Sequence, residues 1–554
     1  MSTTHFTREG RATDGPALEP ASVSLPWRIS IIATTVASLL LKLLLAAKTY
    51  GTNDVYRFEA FMAASRYFGA FIYRATPDFN HPPSMIHVLL LVGWLSNVTG
   101  LPFSFWLRVP GILADAASVW VLWKILGPRL QERSIRWALL MFAAAPPFFL
   151  VAGFHGNTDT IMIFFLLLSV YVNERGMHAW LAGVMFGLSM CFKITPVIAA
   201  PVMYFHMRDP RKRIAFFAAA GGVLLIAWSP YIFQDTWFMV RQIFGYHGSY
   251  GHWGLSYLLL HLLDRLPALQ PLNYDFWVDG PYALLGGTTY LAWRMNRQGT
   301  RPRLYSQVAI VFFLLLSLTS AFGVQYLAWL VPWVVGLGAM PTAIFFTASG
   351  VFLFLVYNYW SQGIPWYMAD SYRMGDFQGH LDYFQIMCWL SVLMILIVAW
   401  KQMWTSTTDP RLSRSRFSTR TSQFVAVPAA LIFLIYPAFR QARRDNVAIP
   451  WPTRQQRASN VRAAQYLDLS SQLYRMGRYQ GAIAAAQRSV ALRPNFVAAY
   501  GNLSTAYEAL HMWDEALRNA QQAVQLQPDL PMAKDNFDRI LEERQKTGGS
   551  QPSR

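Results

Sequence analysis

Apolar residues in this chain gather in long runs, at about 28–47, 104–126, 135–152, 157–173, 178–192, 194–207, 213–233, 280–296, 305–320, 324–339, 341–359, 382–400 and 423–440. An α-helix needs about 20 apolar residues to cross the hydrocarbon core of a bilayer. The pattern therefore predicts an all-α protein, a polytopic transmembrane bundle of about thirteen spans. The stretch 82–99 is also apolar, but it opens on Pro82-Pro83 and holds His87, so we read it as interfacial or re-entrant.

Beyond 440 the pattern turns polar and helix-forming. The segment YLDLSSQLYRMGRYQGAIAAAQRSVALRPN aligns with YGNLSTAYEALHMWDEALRNAQQAVQLQPD at an offset of 34 residues. Tyr466 falls on Tyr500, Leu469 on Leu503, Ala482 on Ala516, Ala486 on Ala520 and Pro494 on Pro528. This resembles tetratricopeptide repeats, in which small residues let two antiparallel helices approach and a proline ends the second. The expected organisation is a polar tail at 1–27, a transmembrane domain at 28–440, a linker at 441–462, a soluble helical-repeat domain at 463–545 and a disordered tail at 546–554. Stacked helix pairs form concave surfaces, so the repeats are expected to bind a protein or peptide partner.

Composition agrees with a lipid environment. Of 554 residues, 54% are hydrophobic and only 14% charged, against about 25% charged in soluble domains. The formal charge of +18 does not point to nucleic acid, because Lys and Arg fall in short clusters between apolar runs. Such clusters fix membrane orientation. With the N-terminus inside, the inner loops carry Arg129, Arg133 and Arg136, then Arg208, Arg211, Lys212 and Arg213, then Arg294, Arg297, Arg301 and Arg303, then Lys401 and Arg411 to Arg420. The segment 49–103, the FHGNTD turn at 154–159, the surroundings of Lys193, 234–279, the FGVQY turn at 322–326 and 360–381 then face outward, as do the repeats. Arg440, Arg443 and Arg444, just past the last run, oppose that placement of the C-terminus. Cys191 and Cys388 both lie in apolar segments and offer no disulfide framework.

The outward polar residues are the candidates for chemistry. Asp54 follows the first run directly, in NDVYRF, where Asp also serves as a helix N-cap. Asp115, inside a run, would cost about 2.5–3.5 kcal/mol facing lipid, so it faces the bundle, lining a cavity or pairing with Arg108. His155 and Asp159 are four apart, a spacing a metal site could use, but no third ligand is evident and no metal is assigned. Lys193, in CFKITP, either meets an anionic ligand or snorkels to the interface. His247, His252 and Trp253, in YHGSYGHWGLSY, suit sugar contacts and equally an interfacial aromatic belt. No Gly-rich phosphate loop or nucleophile elbow is present, which argues against soluble nucleotide chemistry.

The stretch NDVYRFEAFMAASRYFGAFIYRATPDFNHPPS, an acidic residue after a span, an amphipathic helix and an Asn-His-Pro-Pro turn, resembles the first outer loop of GT-C glycosyltransferases. RVPGILADAASVWVLWKIL, PPFFLVAGFHGNTDTIMIFFLLLSVYV and GLSMCFKITPVIAAPVMYF follow in order, similar to the dolichol-pathway glucosyltransferase branch. FGVQYLAWLVP resembles bacterial polyprenyl-dependent mannosyltransferases. The resemblance implies that Asp54 is the general base on an acceptor, with Arg57, His81, His155, Asp159, Lys193, His252, Gln325 and Tyr326 binding substrate. It also implies a lipid-linked donor, a polyprenyl-phosphate hexose of mannose or glucose type, used with inversion. An inverting transfer needs one carboxylate for the acceptor proton and cations for the leaving phosphate, and Arg57 or Lys193 supplies the latter. The acceptor is expected to be lipid-linked or protein, at the outer or lumenal face of a bacterial inner membrane rather than the endoplasmic reticulum. A transporter or lipid flippase is the alternative, though no half-to-half symmetry is visible. A membrane-anchored scaffold would need only one span.

Overall fold

The computed structural model describes residues 24–408, 437–438, 440 and 454–547, apart from 77, 129, 131, 247, 264–265, 267–269, 298–301, 372–380 and 529. The expected run at 423–440 lies almost wholly outside the described residues, as do most of the two tails, most of the linker and His247.

Six described helices are long and apolar enough to cross a bilayer: Leu25–Lys48, Phe103–Leu126, Arg133–His155, Pro210–Phe244, Ala339–Trp360 and Asp382–Met403. The runs at 178–192, 305–320 and 324–339 form the shorter apolar helices Ala179–Phe192, Leu304–Leu318 and Val324–Leu337. The stretch 82–99 is the short apolar helix Ser84–Thr99. The run at 194–207 is broken into a 3₁₀ segment, Thr195–Ala199, and a short helix, Ala200–His206, each with a proline in its first turn. Proline there fits, because the first-turn amides have no intrahelical partner. The first span is largely lipid-facing, with Leu40, Leu41 and Leu44 all more than half exposed, a solvent suited to such residues.

Small residues set how closely the spans pack. Ala179–Phe192 lies along Pro210–Phe244 through Gly183 and Gly187. A Cβ at Gly183 would come within 2.1 Å of the Phe216 carbonyl oxygen, so the contact is the small-residue approach expected where lipid supplies no hydrophobic drive between helices.

Asp115 does not line a cavity and does not pair with Arg108. It is buried and ion-paired with Lys42 of the first span. Arg108 instead donates to the carbonyls of Ser104, Ala46, Thr49, Gly153 and Phe154 and to the Thr49 hydroxyl, at 2.6–3.3 Å. Breaking a buried pair leaves an uncompensated charge. Lys42→Met or Asp115→Leu alone should therefore cost about 3–5 kcal/mol. The double variant should recover most of that loss, as read by thermal unfolding in detergent.

The C-terminal helices Arg454–Arg475, Tyr479–Leu492, Val497–Glu508, Trp513–Leu526 and Pro531–Thr547 stack in sequence. Ala482, Ala486, Ala516 and Ala520 are all fully buried, which is why the helices of each pair approach so closely. The first of these helices packs against Asn53–Phe68, the helix that follows the first span. Gln465 donates to Glu59 at 2.5 Å and to the Tyr50 hydroxyl at 3.2 Å, and Tyr50 donates to Glu59 at 2.9 Å.

Candidate active site

The first span ends at Lys48, and the chain turns through Gly51-Thr52 before the helix Asn53–Phe68 begins. Gly51 adopts φ +106°, and a Cβ there would meet the Phe154 carbonyl oxygen at 2.7 Å. Only glycine fits so close an approach at that φ. The two residues pair in parallel with Met368 and Ala369. Asn53 accepts from the Ser371 amide at 3.2 Å and hydroxyl at 3.0 Å.

The N-cap of this helix is Thr52, whose hydroxyl accepts from the Asp54 amide at 3.3 Å and donates to the His155 carbonyl at 2.9 Å. The capping role that Asp54 could have filled is therefore taken. The Asp54 carboxylate is turned to other groups: Oδ2 lies 3.0 Å from His155 Nε2 and 3.4 Å from Asn157 Nδ2. His155 Nδ1 lies 2.9 Å from the Tyr357 hydroxyl. The result is a chain Asp54–His155–Tyr357, buried at Tyr357 and still 31% exposed at the Asp54 side chain.

His155 is presented by a turn of π-helix, Val151–His155, ended by Gly156 at φ +83°. A side chain on Gly156 would collide with Val55. Wide turns of this kind re-aim side chains inside helices and concentrate at functional sites. Burial by itself would raise the pKa of Asp54, yet the His155 hydrogen bond and charge, with Arg57 and His81 nearby, hold it down to about 2. His81, its ring tilted against Phe58 at 4.9 Å, is pushed down to about 3 by burial and then by the charge of Lys193, against the pull of Asp54. His81 is thus neutral at physiological pH.

A second cluster adjoins the first. Lys193 Nζ is 2.9 Å from Asp159 Oδ1, and the same oxygen accepts from Trp329 Nε1 at 2.7 Å. The ammonium stands 4.7 Å from the Tyr326 ring centroid and 5.1 Å from that of Trp329, and the two rings stack at 4.0 Å. Lys193 is neither buried in lipid nor snorkelling. It is a cation in an aromatic and carboxylate cradle.

The structure therefore brings Asp54, Arg57, His81, His155, Lys193 and Tyr326 into one electrostatic neighbourhood. Asp159 serves it through Lys193. The four-residue spacing of His155 and Asp159 does not converge on a shared ligand, because each points to a different partner. No group of three metal-ligating side chains occurs among the described residues. Trp253 cannot stack on a sugar as drawn from sequence, because it is fully buried against Phe322 at 4.1 Å and donates to the Leu316 carbonyl at 2.7 Å. Neighbouring His252 is half-buried, as is Gln325 beside Tyr326. Tyr357, Asn157 and Trp329 were missed. Asn157 was in view inside FHGNTD, whereas Tyr357 and Trp329 lie in apolar runs where an aromatic reads as core.

Six described helices are long and apolar enough to cross a bilayer, and part of the chain matches a glycosyltransferase family model. Residues 79–320 match Glycosyltransferase family 87, a range that takes in His81, His155, Asp159, Lys193 and His252 and begins after Asp54 and Arg57. No curated protein matches the chain. Among solved structures it is similar to the archaeal oligosaccharyltransferase AglB from Archaeoglobus fulgidus, determined in complex with an inhibitory peptide and a dolichol-phosphate, at TM-score 0.32 and 11% identity. That alignment covers 80% of this chain and 58% of AglB, so the chain spans less than two thirds of its length.

Proposed function

We propose that the protein moves a hexose, of mannose or glucose type, from a polyprenyl-phosphate carrier to a lipid-linked or protein acceptor at the outer or lumenal face, with inversion and with Asp54 as general base. About thirteen spans form the catalytic body, and tetratricopeptide repeats at 463–545 lie on the same side. The observation that carries the reading is the Asp54–His155–Tyr357 chain: an ionised carboxylate, anchored through Oδ2 and part-exposed at a membrane surface.

In this reading the acceptor hydroxyl hydrogen-bonds to Asp54 and loses its proton as the C–O bond to the carrier breaks. Lys193 and Arg57 offset the charge gathering on the departing phosphate. Asp159 and Trp329 fix Lys193, and the neutral His81 contributes a hydrogen-bonding edge without adding charge. The helix-end carbonyls gripped by Arg108 hold Thr49 and, through it, the turn to Asp54.

The test is purified protein in nanodiscs with labelled polyprenyl-phosphate mannose or glucose and a membrane extract as acceptor. Label should leave one of the two lipids only when extract is present, and the product anomer should be opposite to the donor. Retention of label on both lipids, or consumption of nucleotide sugar instead, would overturn the reading.

A further inference from the structure

The hydroxyl of Tyr357 is the member of the Asp54–His155–Tyr357 chain to which the proposed reaction assigns no work. Tyr357 comes from the last turn of the span Ala339–Trp360, 202 residues from His155, and none of it is exposed. Its ring packs against Phe154 at 5.4 Å and against Trp366 at 6.1 Å. Trp366 in turn donates to Asn358 Oδ1 at 3.2 Å. The phenol is thus clamped, and its hydroxyl meets one polar group among the described residues, His155 Nδ1 at 2.9 Å.

Counting protons along the chain fixes the state of the imidazole. Asp54 is ionised and offers Oδ2 only as an acceptor, so His155 Nε2 carries a proton. Two arrangements then remain at Nδ1. In a neutral ring Nδ1 accepts from the Tyr357 O–H, and every donor in the chain has an acceptor. In a charged ring Nδ1 also donates, and the Tyr357 proton faces no acceptor among the described residues. A buried donor left in that state costs more than the hydrogen bond it could have made. The gain that would offset this cost is small. The Asp54 side chain is 31% exposed, where an ion pair adds little, and Arg57 already stands near it as a counter-charge. Arg108, 3.3 Å from the Phe154 carbonyl, places another fixed cation beside the same turn. At neutral pH the count therefore selects the neutral ring.

That choice matters to the base. Burial raises the Asp54 carboxyl, whereas the His155 hydrogen bond and then a charged His155 depress it. Asp54 titrates only in strong acid, where an imidazole carries its second proton. At neutral pH a neutral ring spares Asp54 that pull and leaves it the stronger base. The two side chains that address the carboxylate, His155 through Nε2 at 3.0 Å and Asn157 through Nδ2 at 3.4 Å, both meet Oδ2. No described residue hydrogen-bonds to Oδ1.

We infer that Tyr357 is a positioning residue for the base: its hydroxyl donates to His155 Nδ1, holds the imidazole neutral with its proton on Nε2, and leaves Asp54 Oδ1 as the oxygen that receives the acceptor proton. This rests on the transferase reading above and goes beyond it in assigning the state of His155 and the basic oxygen.

The experiment uses full-length protein in nanodiscs with isotope-labelled histidine, read by solid-state NMR at neutral pH. Signals missing from His155→Gln belong to His155. Wild type should show a protonated Nε2 and an unprotonated Nδ1. Tyr357→Phe should raise the ratio of doubly protonated to neutral ring about tenfold, because no phenol proton is then orphaned by the charged form. In the same variant kcat for sugar transfer should fall while the donor KM holds. Tyr305→Phe removes another buried hydroxyl, one that donates to the Pro332 carbonyl at 2.5 Å, and should change neither readout. A doubly protonated ring or an Nδ1–H ring in wild type would overturn the inference, and so would Tyr357→Phe with wild-type signals or wild-type kcat. If Tyr357→Phe fails to fold by size exclusion, the wild-type spectrum still decides. Wild type that transfers sugar from neither lipid refutes the transferase reading, while the spectrum tests the Tyr357 assignment by itself.

Discussion

Asp54→Asn should lower sugar transfer about 10²- to 10⁴-fold, the range a positioned general base contributes, with donor binding near wild type. The amide keeps the shape and can still hydrogen-bond to His155, so the loss isolates proton acceptance. The pH profile adds a second check. With its carboxyl held at about 2, Asp54 is ionised across the physiological range and on its own is a weak base. On the proposed reaction, a donor phosphate beside Arg57 and Lys193 would add negative charge near Asp54, and like charge raises a carboxyl pKa. The acid limb of kcat/KM, which reports the free enzyme, should therefore fall at very low pH, while the acid limb of kcat should fall at higher pH. The sign for stability follows from the same lowering: Asp54 contributes folding free energy above the ordinary carboxylate range, and that contribution is lost as pH falls toward 2. Transfer by Asp54→Asn at the wild-type rate in folded protein would remove Asp54 from the mechanism.

The membrane body was legible because its signal is local. A long apolar run needs no partner to be read, so Leu25–Lys48, Phe103–Leu126 and Ala339–Trp360 fall within three residues of their expected ends. The break at Thr195–Ala199 was less visible, because apolar composition continues through it while Pro196 and Pro201 interrupt the helix. In the site, residues on short turns between the apolar runs were legible, since Asp, His and Lys stand out against apolar surroundings. What could not be read were pairings across the chain. Lys42 and Asp115 are 73 residues apart, and His155 and Tyr357 are 202 apart. Spacing along one helix suggested Arg108 for Asp115, but the guanidinium found carbonyls instead. Trp253 failed for a related reason: an aromatic next to His and Gly in an outer segment reads as exposed, and only packing against Phe322 shows otherwise.

Arg108→Met should be strongly destabilising to the membrane body, and Arg108→Lys should rescue little of it. Arg108 is completely buried and meets two chain ends at once: the last turn of the first span through Ala46 and Thr49, and the π-turn through Gly153 and Phe154. Both are helix C-terminal ends, where unsatisfied carbonyls carry partial negative charge. Arg108 therefore neutralises two helix ends with one fork of donors. Leucine or methionine would leave those carbonyls without partners inside the bundle, at about 1–3 kcal/mol for each that fails to relax. Lysine is a point charge with three donors and no planar fork, so it can serve only one end at a time. Since Thr52 and His155 hang from these ends, the loss should also separate Asp54 from its anchor. In detergent-solubilised protein we expect a loss of at least about 3 kcal/mol in Arg108→Met, with Arg108→Lys retaining less than half of the wild-type stabilisation. Donor turnover in whatever Arg108→Lys protein folds should drop through kcat rather than KM, because the cations proposed to meet the phosphate, Arg57 and Lys193, are elsewhere. A melting curve for Arg108→Lys that overlays the wild type would show that charge alone, and not the fork, closes the two helix ends.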